Sequence, residues 1–230
     1  MTSARTWIET PTADGSWTLV HAGLGEGCHS SAGAWQQATE RYAGPCRLAE
    51  RAHAPGAGPV RLLDIGTGLG LNLAAARAAA GAAELEVVTL ERDPEVLAAG
   101  LALYERPELA DGPWSEPHRL VRASLRAALA TPEQPVVFGR GTLELCLGDA
   151  RATLPEGRTF DAIFLDPFSP ARAGELWEPD FLARVAACLA PEGWLSTYSA
   201  SFRVRLALAA GGLAVGRGPR VGAKGEGTLA

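Results

Sequence analysis

Asp166 ends the apolar run FDAIFL and is followed at once by Pro167, Phe168, Ser169 and Pro170. Proline fixes the backbone and removes a donor, so DPFSP leaves its strand as a stiff, preset loop. Such a loop holds one carboxylate, and the carbonyl beside it, still. Upstream, LLDIGTGLGLN sets Gly66, Gly68 and Gly70 behind an apolar run that carries Asp64. Glycine lets a backbone approach a ligand and take conformations that a side chain forbids. Glu91 closes LEVVTLE, and Asp149 follows LELCLG. Each acid alone reads as a helix cap or a solvated loop residue. Three acids at successive strand ends behind a glycine loop read as one site for a nucleotide-like ligand.

The elements that must position these residues alternate from residue 60 onward. VRLLDI, LEVVTLE, LELCLG, FDAIFLD, WLSTYSA and LAVGR read as strands. LNLAAARAAA, PEVLAAGLALY, PDFLARVAACLA and SFRVRLALAA read as helices between them. That order predicts a parallel sheet with helices on its faces. Residues 105–141 interrupt it with an arginine-bearing helix, HRLVRASLRAAL, and then a hairpin turning at Gly139 to Gly141. Before residue 60, WIETPTADGSWTLV predicts a hairpin about Asp14-Gly15. A polar loop, an amphipathic helix ending near Tyr42 and a linker at 53–59 complete the segment. The expected organisation is an appendage over 1–59 and a Rossmann-like domain over 60–230, with an insertion at about 105–141.

Composition narrows the class. The chain has 230 residues, 47% hydrophobic and 20% charged, enough for one large core. No apolar stretch reaches the roughly 18 residues needed to span a bilayer, and the N-terminus lacks the order of a secretory signal. A cytoplasmic protein is expected. Cys28, Cys46, Cys146 and Cys188 form no CxxC pair, so neither zinc, nor any other metal, nor a disulfide framework is expected. The formal net charge of -5 argues against unspecific nucleic-acid binding through a basic surface, while leaving room for a local basic patch.

Spacing decides the ligand. A dinucleotide fingerprint needs G-x-G-x-x-G/A, and here the sixth position is Leu71. The sequence D-x-G-x-G-x-G instead resembles motif I of the class I S-adenosylmethionine-dependent methyltransferases. In that reading Asp64, Gly66, Thr67, Gly68, Gly70 and Asn72 form the turn and the amino-acid end of the cofactor site. Glu91 accepts the ribose hydroxyls, Asp149 the adenine amino group, and Ala150 offers its backbone N–H. DPFSP is similar to the D/N-P-P-Y/F motif of enzymes that methylate amino nitrogens. A protonated amine has no lone pair, so the site must create and align the neutral form. Asp166 and the carbonyl beside it accept the amine hydrogens, and Phe168 stacks on a planar base or meets the sulfonium.

Over most of the chain, DGSWTL, GEGCHSSAGA, LLDIGTGLGLN, FDAIFLDPFSPARAGELW and GAKGE occur in the order of the methyltransferase domain of the MnmC family. That resemblance implies a class I methyltransferase acting on the 5-aminomethyl group of the tRNA wobble uridine, in a stand-alone form without the flavin-dependent oxidase half. It implies S-adenosyl-L-methionine as cofactor, the tRNA anticodon loop as partner, and a separate flavin-dependent or other tRNA-modifying enzyme upstream. Glu26 and Ser30 would close over the methionine end, with His29, Pro167, Trp177, Arg203 and Lys224 on the substrate side. Two departures stand out. Cys28 replaces the family's tyrosine before His-Ser, and Gly225 replaces an arginine between Lys224 and Glu226.

Other candidates are weaker. Arg119, Arg122 and Arg126 recur at helical spacing, which is more often a solvated face. Arg203, Arg205, Arg217, Arg220 and Lys224 are better placed to face RNA. His21, His53 and His118 lack ligand spacing and read as surface histidines. Trp177 would shield the site or anchor its loop. A small-molecule amine methyltransferase, an aminopropyltransferase-like enzyme on the same fold and a non-catalytic cofactor-binding subunit are the competing readings.

Overall fold

The computed structural model describes residues 6–131, 134–222 and 224–230, with the Lys224 side chain outside the described set. In chain order, β1 (Trp7–Pro11), β2 (Trp17–His21) and β3 (Glu26–Gly27) form a small antiparallel sheet. The turn at Asp14-Gly15 pairs Pro11 with Trp17 and Trp7 with His21, as its residue types predict. Then come α1 (Ala34–Gln36), a π-helical turn (Gln37–Ala43) and α2 (Leu48–Ala52). The remainder runs β4 (Val60–Ile65), α3 (Leu71–Ala80), β5 (Leu85–Glu91), α4 (Pro94–Leu103), α5 (Ser115–Ala130), β6 (Val136–Val137) and β7 (Gly141–Leu147). It continues through α6 (Ala150–Thr153), β8 (Phe160–Leu165), α7 (Pro179–Ala187), β9 (Leu189–Thr197), α8 (Phe202–Ala210), β10 (Gly216–Val221) and β11 (Lys224–Leu229).

The main sheet has the order β10-β11-β9-β8-β4-β5-β7-β6. Its centre, β9-β8-β4-β5-β7, is parallel, and β6, β10 and β11 are antiparallel additions. Successive residues of one strand serve opposite faces. Leu62 packs with α3 and α5, while Leu63 and Ile65 pack with α7 and α8. Burial on both faces is why these strands read as continuous apolar runs. Trp7, Leu19 and Tyr42 of the N-terminal segment share the first of these clusters. From β4 the chain steps to β5 and β7 on one side, then returns to β8 on the other. The order therefore reverses between β4 and β8, where open α/β sheets bind ligands at the strand C-termini.

Three expectations change. The helix expected through Ala190 ends at Ala187, because Leu189 already pairs with Phe160 in β9. That strand ends at Thr197 and contains a register shift, with Glu192 at φ 61. Second, the weak final strand is a hairpin: β11 inserts antiparallel between β9 and β10, with Thr228 opposite Thr197. Third, His118 is no surface residue. It is 1% exposed on α5, and its Nε2 lies 2.8 Å from the Leu69 carbonyl oxygen.

Candidate active site

A cavity of about 490 Å³ opens at the C-terminal ends of β4, β5, β7 and β8, within the size range of small-molecule sites. Gly66, Thr67, Gly68, Glu91, Asp149, Ala150, Asp166, Pro167, Phe168, Glu26 and His29 all line it. The sequence thus named residues from distant segments that the fold gathers on one wall.

The glycine turn is built for close approach. Gly66 and Gly68 have φ of 95° and 52°, values that favour glycine. Gly70, at φ 79°, caps α3 and faces α5, where a Cβ would come within 2.8 Å of Val121. It closes the turn but does not line the cavity. Beneath the turn Asp64 is fully buried and accepts from Thr89 Oγ1 at 2.7 Å, and Thr89 lies 2.6 Å from Thr67 Oγ1. Burial pushes the Asp64 carboxyl up, with the nearby charges of Asp166 and Glu91 adding to the effect.

Glu91 ends β5 with its carboxylate already oriented. Oε2 accepts from Gly68 N–H at 2.8 Å, and Oε1 from Arg92 and Asp93 N–H at 2.8 and 2.9 Å. Asp149 N-caps α6 and accepts from the Arg151 amide at 2.9 Å. Hydrogen bonds from Arg151 hold its carboxyl at about 2. The cap and the cavity wall are therefore the same residue.

Asp166 follows β8 and donates its amide to the Ile65 carbonyl at 2.9 Å, which locks DPFSP against the glycine turn. Its Oδ2 accepts from Asn72 Nδ2 at 2.9 Å, and its Oδ1 accepts from the Tyr42 hydroxyl. Asn72, expected beside the cofactor, bonds the acid through its amide nitrogen. Tyr198 donates to the Pro167 carbonyl at 2.9 Å, and Trp177 Nε1 donates to the Phe168 carbonyl at 2.8 Å. Trp177 is 7% exposed, packs edge-on to Tyr198 and stays outside the cavity lining, so it anchors the loop. Phe168 stacks with Trp7 at 6.1 Å between ring centroids, and Trp7 Nε1 donates to Asp93 at 3.2 Å.

Glu26 also grips the loop. It accepts from Ser169 N–H at 2.8 Å and from Ser169 Oγ at 2.7 Å, tying β3 to DPFSP. His29 lies 3.1 Å from Thr18 Oγ1 through Nδ1, and Ser30 sits behind the lining, its amide on Gln37 Oε1 at 2.9 Å. Arg203 is exposed at the start of α8, outside the cavity, and the Lys224 side chain lies outside the described residues. Arg205 and Arg217 both reach Glu226, at 3.1 and 3.5 Å. Arg119 and Arg126 pair with Glu116 and Glu105, as a solvated face requires. Tyr42, Tyr198 and Trp7 also belong to the site, each reaching it from a segment that carries no motif to mark it in the sequence.

Among the described residues no helix is long and apolar enough to cross a membrane, and no cluster of metal-ligating side chains occurs. A family model described as S-adenosyl-L-methionine-dependent methyltransferase matches residues 118–230. The tRNA 5-methylaminomethyl-2-thiouridine biosynthesis bifunctional protein MnmC of Pseudomonas paraeruginosa is 40% identical over 192 residues, covering 78% of this chain and 28% of that protein. Its counterpart in Methylibium petroleiphilum is 36% identical over 220 residues, covering 90% of this chain and 32% of that protein. The chain thus spans about a third or less of the length of these relatives. The crystal structure of MnmC2 from Aquifex aeolicus superposes with a TM-score of 0.79 at 31% identity, covering 99% of this chain and 71% of that one. A spermidine synthase in complex with a transition-state analogue, at TM-score 0.56 and 13% identity, shares the fold. Motif order, sheet topology and these likenesses agree, and the chain belongs to the MnmC methyltransferase-domain family of S-adenosylmethionine-dependent methyltransferases.

Proposed function

We propose that this chain methylates the 5-aminomethyl group of the tRNA wobble uridine, giving 5-methylaminomethyluridine. The observation that carries the reading is the place of Asp166: a carboxylate with a locked backbone, on the cavity wall beside the glycine turn and Glu91.

The residues present fit S-adenosylmethionine. Glu91 is held where two ribose hydroxyls can donate to it, and Gly66 and Gly68 bring bare backbone to the same wall. Asp64 Oδ1 is buried beneath that wall with no hydrogen-bond partner among the described residues, a polar atom that leaves room for a further donor at the base of the glycine turn. When bound, S-adenosylmethionine supplies an electrophilic methyl group on a sulfonium.

The chain's own contribution is electrostatic and geometric. Glu26, Glu91, Asp93, Asp149, Asp166 and Glu175 line the cavity against Arg92 and Arg172, and Arg92 is paired with Glu175 at 3.2 Å. Such a wall attracts a sulfonium and an alkylammonium and repels phosphate. The aminomethyl base therefore enters while the RNA backbone stays at the rim, as bases splayed from single-stranded loops do. Asp166 accepts an N–H of the amine and aims its lone pair. The Tyr198 hydroxyl fixes the Pro167 carbonyl beside it. Phe168 and Trp7 supply aromatic surface for the planar base. The aminomethyl group must already be in place on the base before methyl transfer, because methyl transfer to nitrogen forms neither the carbon–carbon bond from the ring to the methylene nor the carbon–nitrogen bond of the amine.

The test is transfer of labelled methyl to tRNA bearing 5-aminomethyluridine, run beside free alkylamines and diamines. Transfer to tRNA that weakens steeply with salt supports the reading, since phosphate contacts release counterions. Transfer to small amines alone, indifferent to salt, replaces it with a small-molecule methyltransferase.

A further inference from the structure

Tyr42 lies outside every motif that marks the site, yet its hydroxyl donates to Asp166 Oδ1. It belongs to the π-helical turn Gln37–Ala43, a geometry that recurs at functional sites. The side chain is fully buried, with its ring 5.4 Å from that of Phe164 on β8. Arg41 pins the turn from the other side, donating to the carbonyls of Pro219 and Gly225 at 3.1 and 3.2 Å. The phenol is thereby fixed.

Asn72 completes the grip, its Nδ2 donating to Asp166 Oδ2 at 2.9 Å. The amide's own Oδ1 is buried with no partner among the described residues. A flipped amide would turn that oxygen toward the carboxylate, so the orientation is set by the acid. Asp166 is thus held at both oxygens, by donors from the N-terminal segment and from α3.

The groups facing Asp166 pull in opposite directions. Asp64 within β4, the Cys28 thiol just after β3 and Tyr198 just after β9 sense its charge, and Arg41 is the cation near it. A neighbouring acid favours the protonated form of a carboxylate, and hydrogen bonds donated to the charged form oppose that. The distinction matters for an amine. A protonated acid would donate its O–H to the lone pair that must attack carbon, whereas an ionised one accepts N–H and leaves the pair available. Burial first, then the charge of Asp166, pushes the Tyr42 phenol up, so it stays a donor.

We propose that Tyr42 is a positioning residue for methyl transfer, whose hydroxyl keeps the Asp166 carboxylate ionised and in one plane as the acceptor of the substrate amine. This rests on the reading of Asp166 given above. The test is Tyr42→Phe, which keeps the ring on Phe164 and removes only the hydroxyl. Asp166 is titrated by carbon NMR in protein labelled at aspartate carboxyls and assigned by the signal lost in Asp166→Asn. A charge-assisted hydrogen bond is worth about 1.5–3 kcal/mol, so the expected upward shift is about one to two pH units. Asn72→Ala, which removes the other donor, is expected to move the signal in the same direction. In turnover, the acid limb of the pH profile should rise by the same amount and kcat should fall about tenfold or more, with cofactor affinity unchanged. An Asp166 titration that Tyr42→Phe leaves in place overturns the proposal, whatever the wild type methylates. A shifted titration in a protein inactive on tRNA rejects the tRNA reading alone and leaves the role of Tyr42 standing.

Discussion

A Cβ placed on Gly66 would lie 2.7 Å from the carbonyl oxygen of Asp166. The glycine turn that faces the cofactor side and the loop that carries the acid are in backbone contact, and only a residue without a side chain permits it. Gly66 also has φ of 95°, so any substitution meets both a clash and a strained backbone. Gly66→Ala should lower unfolding stability by on the order of 3 kcal/mol in urea and abolish cofactor binding. Gly58→Ala, where an added Cβ meets nothing within 4 Å, should stay within about 1 kcal/mol of wild type. Equal effects from the two would contradict this account.

Glu26 separates positioning from cofactor binding. Its two hydrogen bonds to Ser169 tie the N-terminal sheet to DPFSP. Glu26→Ala should leave cofactor affinity little changed in calorimetry and reduce kcat by about 10- to 100-fold, because small misplacements of a reacting group are costly. A large loss of cofactor affinity with kcat intact would return Glu26 to the methionine end.

His118 makes stability depend on pH. Its Nε2 bonds the Leu69 carbonyl inside the glycine turn, and burial lowers its pKa to about 4. An unfolded histidine titrates near 6.5, so below that pH the unfolded chain takes up a proton that the folded chain refuses. The folded pKa is the lower one; stability is fully present above about 6.5 and falls as pH drops toward 4. The slope should reach at most about 1.4 kcal/mol per pH unit, about 3 kcal/mol in all. Urea unfolding of His118→Gln between pH 7 and pH 4 should show a correspondingly flatter dependence. Parallel curves for the two proteins would contradict it.

The sheet centre and the cavity wall were legible in the sequence because they are local signals. Apolar runs bounded by glycine, and acids at their ends, mark strand C-termini wherever the chain takes them. β11 was not legible: Gly225 and Gly227 make it read as a loop, and it becomes a strand by pairing with Ser196 and Thr197. A Cβ on Gly227 would run into the Thr197 carbonyl and the Arg41 guanidinium, so one of the glycines that hide the strand is also what allows its insertion. Asn72 and Glu26 stand out in the sequence, but the bonds they make do not. Their partners, Asp166 and Ser169, lie 94 and 143 residues away, and pairings of that range leave no spacing to read. His118 misled for a related reason, since its burial depends on how α5 meets the glycine turn.

The arginines near the C-terminus divide by their partners. Arg205 is occupied by Glu226, Thr228 and the Gly227 carbonyl, whereas Arg203, in the same first turn of α8, is exposed. Arg203→Gln should weaken tRNA binding and reduce its salt dependence by about one phosphate contact, a change of roughly 0.7–0.9 in the log–log slope, without altering unfolding. Arg205→Gln should instead lower stability, by about 1–3 kcal/mol. A salt slope that Arg203→Gln leaves unchanged would remove Arg203 from the RNA-facing surface.

In the proposed reaction Asp166 accepts the amine of a wobble-position aminomethyluridine during methyl transfer. The most direct measurement is nucleoside mass spectrometry of tRNA bearing 5-aminomethyluridine after incubation with S-adenosylmethionine and wild type, Asp166→Asn or Asp166→Ala protein. Conversion to 5-methylaminomethyluridine by the wild type, reduced at least about 100-fold in both variants while cofactor binding persists, is the predicted result. Undiminished conversion by Asp166→Ala, or no conversion by a wild type that binds the cofactor, would contradict it.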